Sequence, residues 1–246
     1  MGLNQIQHGA ELNGAAKYLP RLLTAAGRPG AGKDTNANPV AEGLGYELLR
    51  TSSLLKAYVG AFPDTPDGIA VTKAMTTGKL APDDVTANVV APQLVTKLEV
   101  AKVMPNGFPR SKVQYDIFRR ILNEQGIDDD YCLFFDIPED LATERILAGN
   151  RGRPDDKPEV VADRMKEYDE FTRPVIDAYG EVGRLLTISI TDPRETPEQV
   201  QARVRAAITA VAFSRAELLG TNIADEPLIH HQNGQHSNVV STSLRG

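Results

Sequence analysis

Apolar residues along this chain fall into short runs separated by longer amphipathic stretches, the pattern of buried strands alternating with helices. The runs lie at residues 22–26, 46–51, 100–104, 131–137 and 185–190, and 131–137 carries the strongest strand pattern. Between them the spacing predicts helices. One starts at Lys33 and ends near 45, bent or shortened because Pro39 removes a backbone donor at a cost of about 3 kcal/mol in a helix interior. A second follows Ser52 and Ser53, which suit an N-cap, and 61–68 reads as a Pro/Asp/Gly loop before a brief helix over 71–77 that Gly78 stops. Longer helices are predicted over 83–98 and over 111–123, the latter with Val113, Ile117, Ile121 and Leu122 inward. Pro138 opens a helix carrying Arg145; another runs from about 155 to 179 with Val160, Val161, Met165 and Tyr168 inward, and the last spans 196–213. Five strands with intervening helices imply an α/β fold: a parallel sheet covered on both faces, with ligands bound at the carboxyl ends of the strands.

At 246 residues the chain suits one domain, 21–214, with an N-terminal extension over 1–20 and a polar C-terminal tail over 215–246. The net charge of −6 argues against a broad nucleic-acid surface, so an anionic ligand must meet locally clustered Arg and Lys. Cys132, the only cysteine, excludes an intrachain disulfide and a thiolate metal cage and fits a reducing compartment. No apolar run reaches membrane-spanning length and the N-terminus lacks secretory-signal regions, so a cytoplasmic protein without a membrane partner is expected. Met1-Gly2 invites myristoylation, but Ile6 stands where Ser or Thr is required. His230, His231 and His236 lack acidic or cysteine partners at metal-site spacing and read as solvated tail.

The candidate chemistry begins at Gly27-Arg28-Pro29-Gly30-Ala31-Gly32-Lys33-Asp34-Thr35, directly after the first strand. Glycines at this spacing let a loop turn tightly and aim backbone N–H groups at one point, where the following helix N-terminus also faces, so an oligophosphate is the expected occupant. Lys33 would reach the β- and γ-phosphates and the Thr35 hydroxyl would close the cradle. The pattern G-x-x-x-x-G-K-[ST] is missed by one residue, Asp34, and taken alone the stretch is equally a Gly-rich surface turn. Ser52 to Lys56, taken alone, is an ordinary capped helix with a solvated lysine. Arg110, after the third strand, sits at the ligand edge of the sheet, and the basic loop 149–154 can fold back toward Arg164, about three helical turns beyond Arg153.

Together these segments resemble the adenylate kinase family of nucleoside monophosphate kinases, in order, over roughly 22–208. Gly27 to Thr35 is similar to the family's G-x-P-G-x-G-K-G-T loop, Thr51 to Lys56 to T-G-D-[LM]-[LF]-R, and Met75 to Asp83 to M-x-x-G-x-L-x-P-D. Gly107-Phe108-Pro109-Arg110 with Gln114 matches G-F-P-R-x-x-x-Q, and Gly152-Arg153-Pro154-Asp155-Asp156 with Arg164 resembles G-R-x-D-D and the helical arginine after it. The resemblance implies a P-loop NTPase-like three-layer fold with a five-stranded parallel sheet and a helical acceptor lobe over about 52–98. It implies an ATP site at Gly27, Pro29, Gly30, Ala31, Gly32, Lys33, Asp34, Thr35, Arg145 and Arg151, and an AMP site at Thr51, Lys56, Leu80, Gly107, Arg110, Gln114, Arg153 and Arg164. Lys33, Arg110, Arg153 and Arg164 would neutralise the transferring group, with Mg²⁺ bound alongside ATP, in a short form: too few residues separate Arg145 from Gly152 for the lid insertion of long-form members. A monomer is expected.

Four positions depart from the family pattern: Asp34 replaces Gly, Asn106 replaces the Asp that helps hold hydrated Mg²⁺, Ser52-Ser53 replaces Gly-Asp, and Lys56 replaces Arg. Two readings of the first two stand open: the Mg²⁺-holding carboxylate has moved from position 106 to position 34, or the two substitutions are unrelated. The expected activity is reversible, Mg²⁺-dependent phosphoryl transfer from ATP to AMP. The alternatives are a kinase for another nucleoside or deoxynucleoside monophosphate and a non-catalytic nucleotide-binding pseudokinase.

Overall fold

The computed structural model describes residues 14, 16–149 and 158–221. In chain order the elements are β1 (Leu22–Gly27), α1 (Lys33–Gly43), β2 (Tyr46–Arg50), α2 (Thr51–Ala61), α3 (Pro66–Thr77), α4 (Asp83–Leu98), β3 (Lys102–Asn106), α5 (Lys112–Glu124) and β4 (Asp130–Asp136). They continue with α6 (Glu139–Ala148), α7 (Pro158–Glu167), a π-helical turn (Tyr168–Thr172), α8 (Arg173–Glu181), β5 (Leu185–Ser189) and α9 (Pro197–Leu218). The five strands form one parallel sheet in the order β2-β3-β1-β4-β5.

The pleat of β1 divides the core. Leu23 and Ala25 face one layer with Ala37, Val40, Ile146, Met165 and Ile208, whereas Leu22 and Ala26 face the other with Val90, Leu94, Phe118, Val175 and Tyr179. Helices α1, α6, α7 and α9 therefore cover one face and α4, α5 and α8 the other, as the alternation of elements predicts. Because both faces are covered, β1 is buried at all six positions, which is why it reads as an unbroken apolar run.

The differences from expectation have local causes. Helix α1 runs through Pro39 and ends at Gly43, two residues before the expected end; Gly45 then turns at φ 81° into β2. Ser52 and Ser53 do not cap α2, because the helix begins at Thr51 straight from the strand, with Arg50 still extended. The loop assigned to 61–68 already contains the start of α3: Thr65 accepts a hydrogen bond from the Gly68 amide at 3.1 Å and Pro66 occupies the first turn. Strand β3 lies two residues later than predicted, since Val100 belongs to the turn after α4 and is 82% exposed, and Pro105 sits inside the ladder opposite Leu49. In α5, Leu122 is buried as expected and Ile117 packs partly against the core, but Val113 is 54% exposed and the buried face also takes Gln114, Tyr115 and Phe118. The long helix predicted to 179 is broken by the π-helical turn at Tyr168–Thr172, and the part of it before Pro158 lies outside the described residues. Helix α9 passes the expected end at Phe213, burying Ala216. At the other end, Tyr18 and Leu19 join the core and the Tyr46 hydroxyl donates to the Pro20 carbonyl at 2.7 Å, so the last residues of the N-terminal extension pack with the domain.

Among the described residues no helix is long and apolar enough to cross a membrane.

Candidate active site

The loop after β1 is shaped by contacts that only glycine permits. Gly30 has φ 82°, and a Cβ there would lie 2.4 Å from the Ala142 carbonyl oxygen, so the loop rests directly on α6. Gly32, at φ 75°, turns the chain into α1. Ala31 is buried beneath the loop, and its amide donates to the Arg28 carbonyl at 3.1 Å. Lys33 folds back over the loop, donating to the Gly27 and Arg28 carbonyls at 2.7 and 3.0 Å. Thr35 stays exposed in the first turn of α1. Arg28 was an unassigned position in the motif, yet its guanidinium pairs with Asp169 at 3.1 Å and Glu139 at 3.6 Å and lies over the Tyr168 ring. It ties the loop to α6 and to the π-helical turn.

Beside the loop is a cavity of about 100 Å³ whose wall includes Gly27, Lys33, Leu80, Gly107, Arg110 and Arg164, with Glu167 supplying a carboxylate. The cations are crowded. Desolvation, followed by the nearby Arg110 charge, lowers Lys33 from 10.5 to about 7, while Asp34 opposes the shift. Desolvation and then Arg164 lower Arg110 in turn. Such a cluster is unfavourable without an anion and strongly attractive to one. The Arg110 segment is held from both sides: the Gln114 Oε1 accepts from the Arg110 amide at 2.8 Å, and the Thr172 hydroxyl of the π-helical turn donates to the Arg110 carbonyl at 3.0 Å.

A second cavity, of about 130 Å³, opens between α2, the end of α3 and the start of α4. Its lining unites Thr51, Leu80, Gly107, Arg110 and Gln114, drawn from three separate stretches of sequence. It also includes Lys79 and Thr86, which the motifs did not single out; Thr86 could have been noticed as a polar residue within the buried stretch of α4 between Val85 and Ala87. Gln114 is fixed there, since its Nε2 donates to Asp83 Oδ1 at 2.9 Å, which also accepts from the Ser111 hydroxyl at 2.8 Å. Lys56 is exposed on α2 and lines neither cavity. Arg145 likewise lines neither, but it lies on α6 between Ala142 and Ile146, the two residues on which Gly30 rests. Arg151, Gly152, Arg153, Pro154, Asp155 and Asp156 lie outside the described residues.

The two departures in the phosphate loop and the third strand meet. Register sets Asn106 beside both Ala25 and Arg50 at the carboxyl edge of the sheet, and its Nδ2 donates to Asp34 Oδ1 at 2.7 Å and to Asn38 Oδ1 at 3.2 Å.

Comparison with known proteins agrees with this geometry. The family model described as "Adenylate kinase" matches residues 25–184. The chain is 36% identical to the adenylate kinase of Corynebacterium glutamicum over 186 residues, 76% of this chain and 98% of that protein. It is 35% identical to the adenylate kinase of Thermus thermophilus over 184 residues, 74% of this chain and 94% of that protein. A "Probable UMP-CMP kinase 2" of Arabidopsis thaliana is 32% identical over 170 residues, 69% of this chain and 63% of that protein. With the motifs in register, the sheet order that brings them to one edge and these matches over most of its length, the chain belongs to the adenylate kinase family of nucleoside monophosphate kinases.

Proposed function

We propose that the protein catalyses reversible, Mg²⁺-dependent transfer of the ATP γ-phosphoryl group to the α-phosphate of AMP, giving two ADP. The observation that carries this reading is the convergence of Lys33, Arg110 and Arg164 on one cavity between a phosphate loop and a second cavity lined by Thr51 and Gln114. In the reaction an α-phosphate oxygen of AMP bonds to the γ-phosphorus as the bond to the β–γ bridging oxygen breaks; the chain supplies alignment and charge neutralisation and forms no covalent intermediate. Backbone N–H groups from Gly27 to Thr35, including Pro29-flanking Gly30, Ala31 and Gly32, would cradle the ATP phosphates, with Lys33 leaving its carbonyl partners to follow the β- and γ-groups. Arg145 and Arg151 would bind toward the ATP adenine and phosphates, Arg110 would hold the AMP phosphate, and Arg153 and Arg164 would stabilise the transferring group. Thr51, Leu80, Gly107 and Gln114 would surround the acceptor base, with Lys56 reaching in from the surface.

For the cation, Asp34 Oδ1 and Asn38 Oδ1 flank Asn106 next to the phosphate loop, and carboxylate and amide oxygens are the donors Mg²⁺ takes. Asp34, directly or through water, is the residue we assign to hold Mg²⁺, and the ion would supply neutralisation of phosphate charge there.

The two cavities, each below the ~300 Å³ of ordinary ligand pockets, support a reading in which the acceptor lobe, about 52–98, swings away from the sheet to admit nucleotides and closes again. The net charge of −6 weighs against a nucleic-acid partner, and the single, buried Cys132 suits a reducing compartment such as the cytoplasm.

A coupled assay across nucleoside monophosphates tests the activity. AMP should exceed CMP and UMP by at least ~10² in kcat/KM, because a site that hydrogen-bonds one base leaves buried groups unpaired with another. Preference for CMP or UMP would instead support the pyrimidine reading that the Arabidopsis relative raises. ATP binding without transfer to any monophosphate would make the chain a pseudokinase.

A further inference from the structure

The acceptor cavity contains a polar group that the family motifs leave without a task. Thr86, in the first turns of α4, is 3% exposed, lines the cavity, and its hydroxyl is buried with no hydrogen-bond partner. Helical threonines ordinarily relieve this situation by bonding backward, as Thr72, Thr76, Thr77 and Thr96 do here, each donating to the carbonyl four residues earlier at 2.8 to 3.0 Å. Thr86 does not. The carbonyl four residues before it, Pro82, accepts the Thr86 amide at 2.9 Å and receives nothing from its hydroxyl. The Thr51 hydroxyl, from the start of α2 in the same lining, is also buried and unpaired. Two unmatched hydroxyls from different helices in one small cavity indicate a ligand with polar edge atoms, because a buried hydroxyl without a partner is unfavourable and a matched one is not. Gln114, pinned by Arg110 and Asp83, keeps one N–H and one lone pair uncommitted beside them.

We infer, resting on the reading of this cavity as the AMP site, that the Thr86 hydroxyl hydrogen-bonds the acceptor base and is a specificity-determining residue for it. The bond joins a ring nitrogen or the exocyclic amino group of adenine, and the phosphate and ribose are held elsewhere. Removing the hydroxyl while keeping the shape therefore weakens the base contribution and nothing else.

The test compares wild type, Thr86→Val and Thr86→Ser by calorimetric titration with AMP, ribose 5-phosphate and ATP, alongside the thermal midpoint of each free protein. Thr86→Val should weaken AMP about five- to tenfold, leave ribose 5-phosphate and ATP unchanged, and leave the free protein as stable as wild type or more so. Thr86→Ser should retain wild-type AMP affinity with the same ribose 5-phosphate affinity. Equal AMP affinity in wild type and both variants overturns the role of Thr86 and leaves the AMP reading standing. A parallel loss for AMP and ribose 5-phosphate, or a lowered midpoint accompanying the loss, makes the effect structural and also overturns it. Wild type that binds AMP no more tightly than ribose 5-phosphate overturns the acceptor reading, and the inference with it.

Discussion

Asp34 is the position at which the phosphate loop can be tested most sharply. It follows Lys33, where phosphate loops of the G-x-x-x-x-G-K-[ST] pattern place their Mg²⁺-ligating hydroxyl, and its carboxylate accepts a hydrogen bond from Asn106 at 2.7 Å. A carboxylate ~5 Å from a phosphate charge is opposed by roughly 3 kcal/mol at an effective dielectric near 20. Asp34 is exposed, so solvent and salt reduce this to about 1 kcal/mol, a factor of about five. The sign depends on the cation: without Mg²⁺ the carboxylate repels ATP, and with Mg²⁺ it becomes a hard ligand to the ion or its waters. Asp34→Asn keeps an oxygen to accept from Asn106 and removes only the charge. In calorimetric titrations it should bind metal-free ATP about fivefold more tightly and need about tenfold more Mg²⁺ for half-maximal ATP binding. Adding Asn106→Asp to that variant should recover much of the Mg²⁺ affinity. In the wild-type background the same Asn106→Asp change sets two carboxylates against each other and should weaken metal-free ATP. If Asp34→Asn leaves both titrations unchanged, or Asn106→Asp acts identically in the two backgrounds, the two positions do not share the cation and the exchange is wrong.

Two further outcomes are expected. Arg164→Ala or Arg153→Ala should lower kcat by about 10³ or more while ATP binding weakens far less, as steady-state rates and ATP titrations will read; unchanged kcat in both removes their assignment to the transferring group. At the opposite, amino-terminal edge of the sheet, Asp130 is fully buried and pairs with Arg119 and, at 2.9 Å, with Arg184. Asp130→Ala leaves the partly exposed guanidiniums of Arg119 and Arg184 with only the exposed Asp128 as counter-charge, which should cost about 2 kcal/mol and lower the thermal midpoint by about 4–8 °C. Because the site is at the other end of the strands, kcat/KM should stay within about twofold below that midpoint, and a comparable loss of activity would mean that this network communicates with the cleft.

The sequence by itself determined the order of strands and helices, the parallel sheet and the stretches that meet at its carboxyl edge. These follow from local periodicity and from residues with few conformational options: Gly30 and Gly32 at positive φ, and Gly78 at φ 72° closing α3. The family motifs likewise brought Thr51, Arg110, Gln114 and Arg164 to notice, since each is a residue type the chemistry requires at a fixed spacing. What the tertiary structure alone decided depends on residues distant in the chain. Arg28 looked like an arbitrary loop position until α6 and the π-helical turn supplied Glu139, Asp169 and Tyr168 around it. The pairing of Asp34 with Asn106, 72 residues apart, depends on the sheet order that puts β3 next to β1. Thr86 appears as one more helical residue in the sequence; only the packing of α2, α4 and α5 around one cavity leaves its hydroxyl buried without a partner. A side chain's intrinsic chemistry is carried by the sequence, whereas its partners, its charge environment and its unmet hydrogen bonds belong to whatever the fold sets within a few ångströms of it.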